Sequence, residues 1–259
     1  MHEPNESDHK KQLFMKFIGI IPARYQSTRF PGKPLAKLGE KTIVQHVFDN
    51  AKKSIDEVWI ATDDQRIANE VENFDGQYVM TGPHHQSGTD RCAEAAEIIS
   101  KNTDSDVIVN IQGDEPFVRN EQIEALKSCF ADNETQIATL IKKIENQETL
   151  FNPNRPKVVV DRKMNALLFS RSTIPFFRGT EREDWLNNAT FYSHLGMYAY
   201  KTEVLKEITK LSQTPLELSE SLEQLRWLEN GYKIKTAITE FESIGIDTPE
   251  DLEYAKSFL

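Results

Sequence analysis

Cysteine is nearly missing: Cys92 and Cys129 are the only two in 259 residues. That excludes a disulfide framework and a cysteine-rich zinc site, and it suits a reducing compartment. Long apolar runs are missing too, and no stretch approaches the roughly 20 residues that a membrane-spanning helix needs. The first fourteen residues, MHEPNESDHKKQLF, are polar and lack the apolar centre of a secretory leader. We read 1–15 as a flexible extension, with Met15 a second candidate start, and expect a cytoplasmic protein that meets no membrane. Positive charge is scarce: 31 Lys and Arg against 41 Asp and Glu leave a net charge of -10. No nucleic-acid partner is expected, because such binders carry a basic face or stripe. A Walker A loop is excluded, since Gly32-Lys33 runs into Pro34. The dinucleotide fingerprint and the kinase pattern are missing as well.

What is present is alternation. Phe17–Ile21 reads as a buried strand and Thr42–Ser54 as a helix. Val58–Thr62 reads as a strand, Gln65–Phe74 as a helix and Gln77–Met80 as a short strand. Thr89–Ser100 is helical, Asp106–Gln112 is the clearest strand, and Asn120–Ala131 is helical again. Such alternation predicts an α/β fold, a mostly parallel sheet with helices on both faces, whose ligands bind beyond the carboxyl ends of the strands. Farther on, Lys157–Asp161 and Ala166–Arg171 read as a strand pair, and Arg178–Ala189 as a charged excursion without a core pattern. Leu195–Lys201 reads as a strand, Glu203–Leu211 and Leu216–Asn230 as helices, the second stopped by Gly231. Lys233–Thr239 reads as a strand and Pro249–Phe258 as a last helix. The expected organisation is one domain over 16–259 with a soft internal boundary near 135–155.

Polar clusters follow three of these strands. Behind Ile21 comes PARYQSTRFPGKPL, which gathers Arg24, Arg29 and Lys33 in an otherwise acidic chain. Arginine forks match phosphate oxygens and lysine adds a point charge, so a small polyanion such as a nucleoside triphosphate suits the loop; a solvated charge cluster is the competing reading. Behind Val107–Ile111 comes QGDEP, where Gly113 permits a sharp turn and Asp114 projects beyond the sheet. Asp114 is either a hard oxygen ligand for Mg2+ or a turn residue bonding its own backbone. In IDTPEDL, Thr248, Pro249 and Asp251 fit a helix cap, which leaves Asp247 either as a second metal carboxylate or as a charge favoured by the helix dipole. In QSGTDR, Ser87 or Thr89 fits a helix cap. His84 and His85 read as surface residues. Glu223 and Arg226, three apart, read as an intrahelical pair.

Taken in order, IIPARYQSTRFPGKPL, HQSGTDR, VNIQGDEP, FNPN with KVVVD, FSRSTIP, HLGMYAY, LEQLRWLENG and IDTPEDLE resemble the 3-deoxy-manno-octulosonate cytidylyltransferase family over nearly all of 16–259. The resemblance implies a Rossmann-like sheet, a nucleotide-binding part over 16–150, and a smaller sugar-binding and dimerising lobe over 151–259. It implies a homodimeric enzyme that couples CTP to 3-deoxy-D-manno-octulosonate (Kdo), giving CMP-Kdo and pyrophosphate for lipopolysaccharide biosynthesis. An 8-amino-Kdo or sialic-acid-type acceptor, or a non-catalytic nucleotide-binding homologue, are the alternatives. By resemblance Arg24, Ser27, Arg29 and Lys33 grip the triphosphate. Ser87, Gly88, Thr89 and Gln112 face the nucleoside, and Asp114 and Asp247 hold Mg2+. Arg171, His194, Tyr198, Glu223 and Gln224 hold the sugar acid. Lys33, Arg24, Asp114 and Asp247 are the catalytic candidates.

Overall fold

The computed structural model describes residues 15–242 and 244–259. The extension expected over 1–15 thus lies outside the described residues except for Met15, which packs against the core. The first half comprises β1 (Phe17–Ala23), β2 (Lys37–Leu38), β3 (Lys41–Thr42), α1 (Ile43–Ala51), β4 (Glu57–Thr62), α2 (Gln65–Asn73), β5 (Gln77–Met80), α3 (Gly88–Ile99), β6 (Val107–Asn110) and α4 (Asn120–Ser128). There follow β7 (Ile137–Lys143), α5 (Gln147–Phe151), β8 (Lys157–Val160), β9 (Ala166–Ser170), α6 (Trp185–Asn188) and β10 (Tyr192–Lys201). The chain closes with α7 (Thr202–Ile208), α8 (Pro215–Glu220), α9 (Gln224–Glu229), β11 (Ile234–Ile238) and α10 (Pro249–Ala255).

Along the main sheet the strands run β11-β7-β10-β6-β1-β4-β5, and β8 and β9 branch from β10. Pairings β11–β7, β6–β1, β1–β4 and β4–β5 are parallel, whereas β10 lies antiparallel to both of its neighbours on this path. The sheet is therefore mixed but mostly parallel. Its two faces explain the unbroken apolar runs. Ile18 and Ile20 turn toward α3, α7 and α9, while Ile21 joins the layer formed with α1, α2 and α4. A strand covered on both sides has no polar face to show.

β7 was not expected from the sequence. It sits between β10 and β11, with Ile137, Ala138, Thr139, Leu140 and Ile141 all buried. The expected helix over 216–230 is two helices, because Ser221 takes a left-handed φ of 50° and breaks the run. Gly231, at φ 83°, does follow the end of α9. The segment 178–189 has a core after all: Trp185 is buried with Ile144, Leu150 and Phe191 in a satellite cluster, and its ring stacks on Phe191.

Candidate active site

The carboxyl ends of β1 and β6 meet closely. A Cβ at Gly113 would lie 2.6 Å from the Pro22 carbonyl oxygen, so only glycine fits there. That contact sets the QGDEP turn beside the loop leaving β1. Within the loop Gly32 takes φ 74° under the Tyr25 ring and donates its N–H to the Tyr25 carbonyl. The chain so reverses and carries Lys33 back over the strand ends.

Lys33 has two acidic partners. Its Nζ donates to Asp114 Oδ2 at 2.7 Å and to Asp247 Oδ1 at 3.2 Å. Two carboxylates 133 positions apart therefore lie within reach of a single cation. A backbone bond fixes this meeting, because the Ile246 N–H donates to the Asp114 carbonyl. Ile246 itself is anchored among Leu38, Ile43 and Ala255. Thr248 caps α10 by accepting from the Asp251 N–H, and the Asp251 carboxylate accepts from the N–H groups of Asp247 and Thr248. The Asp247 N–H is foremost in holding the Asp251 carboxyl below its usual range. Asp251 is thus committed to the backbone, and Asp247 is left to face Lys33 and the Arg29 guanidinium at 3.0 Å.

Around this pair opens a cleft of about 240 Å³ lined by Arg24, Ser27, Arg29, Lys33, Ser87, Gly88, Gln112, Gly113, Asp114 and Asp247. Most of the residues expected around the nucleotide are therefore brought together. Ser87 forms a capping box with Asp90, which places the free N–H groups of α3 at the rim. Gly88 sits against the Pro22 ring, 3.2 Å from where a Cβ would be. Gln112 donates to the Gly196 carbonyl at 3.1 Å, where β10 bulges between Leu195 and Tyr198. Thr89 is the exception: it is buried, and its hydroxyl donates to Glu223 Oε2 at 2.7 Å instead of facing this cleft.

The second group of expected residues comes from the end of β9, from β10 and from the start of α9, and the rings of His194 and Tyr198 lie with centroids 5.4 Å apart. Burial holds His194 neutral, its pKa lowered to about 3, and its Nε2 lies 3.0 Å from the Thr139 hydroxyl. Thr139 also bonds the Leu195 and Met197 carbonyls across the bulge, a role unread in the sequence because β7 was unread. Tyr198 Oη and Gln224 Nε2 are buried and, among the described residues, without hydrogen-bond partners. Glu223 has a raised pKa, burial being the chief cause, and borders a second cleft of about 810 Å³ that shares His85, Gln86 and Ser87 with the first. Arg171 is not brought to either cleft. Its guanidinium donates to the backbone carbonyls of Pro153, Glu220 and Ser221, tying β9 to the end of α8. Arg226 pairs with Glu217, at 2.5 Å, instead of the expected Glu223. His85 is no free surface residue either, since its ring nitrogen bonds the Glu94 carboxylate.

Cytidylyltransferases of this kind generally use a divalent metal. The donor set here fits one. Two carboxylates already share one cationic group, and a hard cation such as Mg2+ asks for one or two carboxylates with phosphate and water completing its shell.

Strand ends that present a cationic loop opposite paired carboxylates, on a mostly parallel sheet, define a nucleotidyltransferase. The cytidylyltransferase family profile matches residues 18–234. The chain is 60% identical over 249 residues to the 3-deoxy-manno-octulosonate cytidylyltransferase of Parabacteroides distasonis, covering 95% of this chain and 98% of that one. It is 54% identical to the enzyme of the same name from Cytophaga hutchinsonii, covering 92% and 95%. Among solved structures, a CMP:2-keto-3-deoxy-manno-octonic acid synthetase complexed with CTP superposes with a TM-score of 0.85 at 38% identity, over 94% of this chain and 98% of that one. The chain belongs to the 3-deoxy-manno-octulosonate cytidylyltransferase family.

Proposed function

We propose that the protein transfers the cytidylyl group of CTP to Kdo, forming CMP-Kdo and pyrophosphate. The observation that carries this reading is the convergence of Asp114 and Asp247 on the Lys33 ammonium, opposite the arginines of the first loop. The anomeric hydroxyl of the sugar attacks the α-phosphorus of CTP in line. The new bond is sugar oxygen to α-phosphorus; the bond to the β-phosphate bridging oxygen breaks, and the hydroxyl proton leaves to solvent. Such a transfer needs alignment and charge neutralisation more than covalent chemistry.

Arg24, Arg29 and Lys33 supply positive charge for the departing pyrophosphate. Arg29 is free to turn toward it, since its bridge to Asp247 is exposed on both sides (65% and 47%) and such pairs contribute about 0–1 kcal/mol. Asp114 and Asp247 would hold Mg2+, which when bound would polarise the α-phosphate and lower the pKa of the attacking hydroxyl. Ser87, Gly88 and Gln112 border the nucleoside side. The unpartnered Tyr198 hydroxyl and Gln224 amide supply hydrogen bonds suited to a polyhydroxylated acid, beside neutral His194 and Glu223.

We place the enzyme in the cytoplasm and infer a homodimer. Among the described residues no helix is long and apolar enough to cross a membrane. Exposed Leu167 on β9 and exposed Phe176 nearby offer apolar surface for a second copy, and light scattering would give the mass. The direct functional test incubates the protein with Mg2+, CTP and Kdo and follows pyrophosphate. Release above a no-sugar control is expected. No release would reject the assignment, and faster release with 8-amino-Kdo or a sialic acid would reassign the acceptor.

A further inference from the structure

We infer that Thr89 is a positioning residue for the acceptor: its hydroxyl orients the Glu223 carboxylate toward the sugar acid, and it does not contact the nucleotide. This rests on the reading of Glu223 as a sugar-side residue.

Thr89 stands at the start of α3, two residues after the N-cap Ser87. The sequence therefore suggests a group facing the nucleotide along with Ser87 and Gly88. Geometry separates them. Ser87 and Gly88 line the cleft around Asp114, whereas Thr89 is only 4% exposed and its hydroxyl hydrogen is committed to Glu223 Oε2 at 2.7 Å. A hydroxyl has one proton to give, and here it is given to a carboxylate 134 positions away. The bond joins the helix that borders the nucleotide to the N-cap residue of α9, directly before Gln224.

The carboxylate needs this support. Glu223 is largely buried, near the thiol of Cys92 and the rings of Tyr198 and Tyr200. Burial opposes its ionised form, and the Thr89 hydroxyl is the leading influence in the other direction, followed by that of Ser87. A hydrogen bond to a charged group is stronger than one between neutral groups. Without it only the Ser87 hydroxyl, on the nucleotide side, supports the carboxylate, and a group that borders the larger cleft loses its main anchor. Thr89 thereby deepens the proposed function: a residue in the nucleotide half sets the geometry of the sugar half.

The test compares Thr89→Val, which removes the hydroxyl at nearly constant volume, with Thr89→Ser, which keeps it. Wild-type pyrophosphate release from CTP and Kdo is measured first; its absence sinks the functional reading itself and is distinct from any effect of the variant. With wild-type turnover in hand, Thr89→Val should raise the KM for Kdo about tenfold or more, as expected for loss of a hydrogen bond to a charged group. CTP affinity, by calorimetry without sugar, should stay within twofold, and Thr89→Ser should restore the KM. Thr89→Val in a Glu223→Ala background should add no further increase. Thr89→Ala replaces the valine variant should the latter fail to fold. An unchanged KM for Kdo, a loss of CTP affinity matching the loss for Kdo, or a full additional increase in the Glu223→Ala background would each overturn the inference.

Discussion

Replacing Lys33 by Met should separate metal affinity from turnover, in opposite directions. The ammonium lies 2.7 Å from Asp114 and 3.2 Å from Asp247, and its side chain is only 13% exposed. At an effective dielectric constant of 20 the two contacts are worth about 6 and 5 kcal/mol of bare Coulomb attraction. The carboxylates are 34% and 47% exposed, so desolvation and screening reduce the net contribution to about 1 kcal/mol each. A divalent cation entering the ligand-free site competes with this ammonium. Lys33→Met removes the competitor, and about 1.4 kcal/mol of relief corresponds to tenfold tighter Mg2+ or Mn2+ binding without nucleotide. Turnover should move the other way. Loss of one preorganised charge that acts on the transition state costs about 10²–10³-fold in kcat. Calorimetric titration of the nucleotide-free variant with Mn2+, next to a pyrophosphate-release assay, reads both quantities. Two bare carboxylates also repel, so the variant should melt lower and gain more from added metal than the wild type. Metal affinity that falls on removing Lys33, or kcat within threefold of wild type, would refute the reasoning.

Gly113→Ala should lower the melting temperature and weaken CTP binding together, because its Cβ would press on the Pro22 carbonyl at 2.6 Å, backbone against side chain with nothing free to move aside; a stability loss of about 1–3 kcal/mol in urea unfolding is expected. His194, buried and neutral with a pKa lowered to about 3, ionises near 6.5 once unfolded, so the unfolded state takes up the proton first. Its contribution to stability is complete above pH 6.5 and declines as the pH falls toward 3; His194→Gln should flatten that acid-side slope in urea midpoints measured from pH 7 to 4. Trp185→Ala should cost about 3–5 kcal/mol, since the ring stacks on Phe191 in a small closed cluster, and urea unfolding would show whether this segment has a core.

Local chemistry made much of this fold legible. The strands β1, β4 and β5 and the cap of α10 are written in adjacent residues, by apolar runs and by Thr248-Pro249 with Asp251. β7 was hidden because Ala138 and Thr139 dilute its apolar run and it ends in Lys142-Lys143, so its IATLIKK shows neither an unbroken apolar stretch nor a clean alternation. The break in the helix after α8 falls on Ser221, a residue that marks no break by itself. The site divides the same way. Arg24, Arg29, Lys33 and Asp114 stand out beside their strands, yet nothing in spacing joins Asp247 to Asp114. Resemblance suggested the pair, and the Ile246-to-Asp114 backbone bond supplies the physical reason. Thr139, which bonds both His194 and the β10 bulge, and the commitment of Thr89 to Glu223 are tertiary facts that short motifs do not carry.

The central claim is that Asp114 and Asp247 act as one metal-binding unit next to CTP. A double-mutant cycle on Mg2+-dependent CTP binding, comparing wild type, Asp114→Asn, Asp247→Asn and the double variant by calorimetry, tests it most directly. Either single variant should lose nearly the whole Mg2+ dependence, and the double should lose little more. Independent, additive losses, or a single variant that keeps wild-type Mg2+ dependence, would contradict a shared ion.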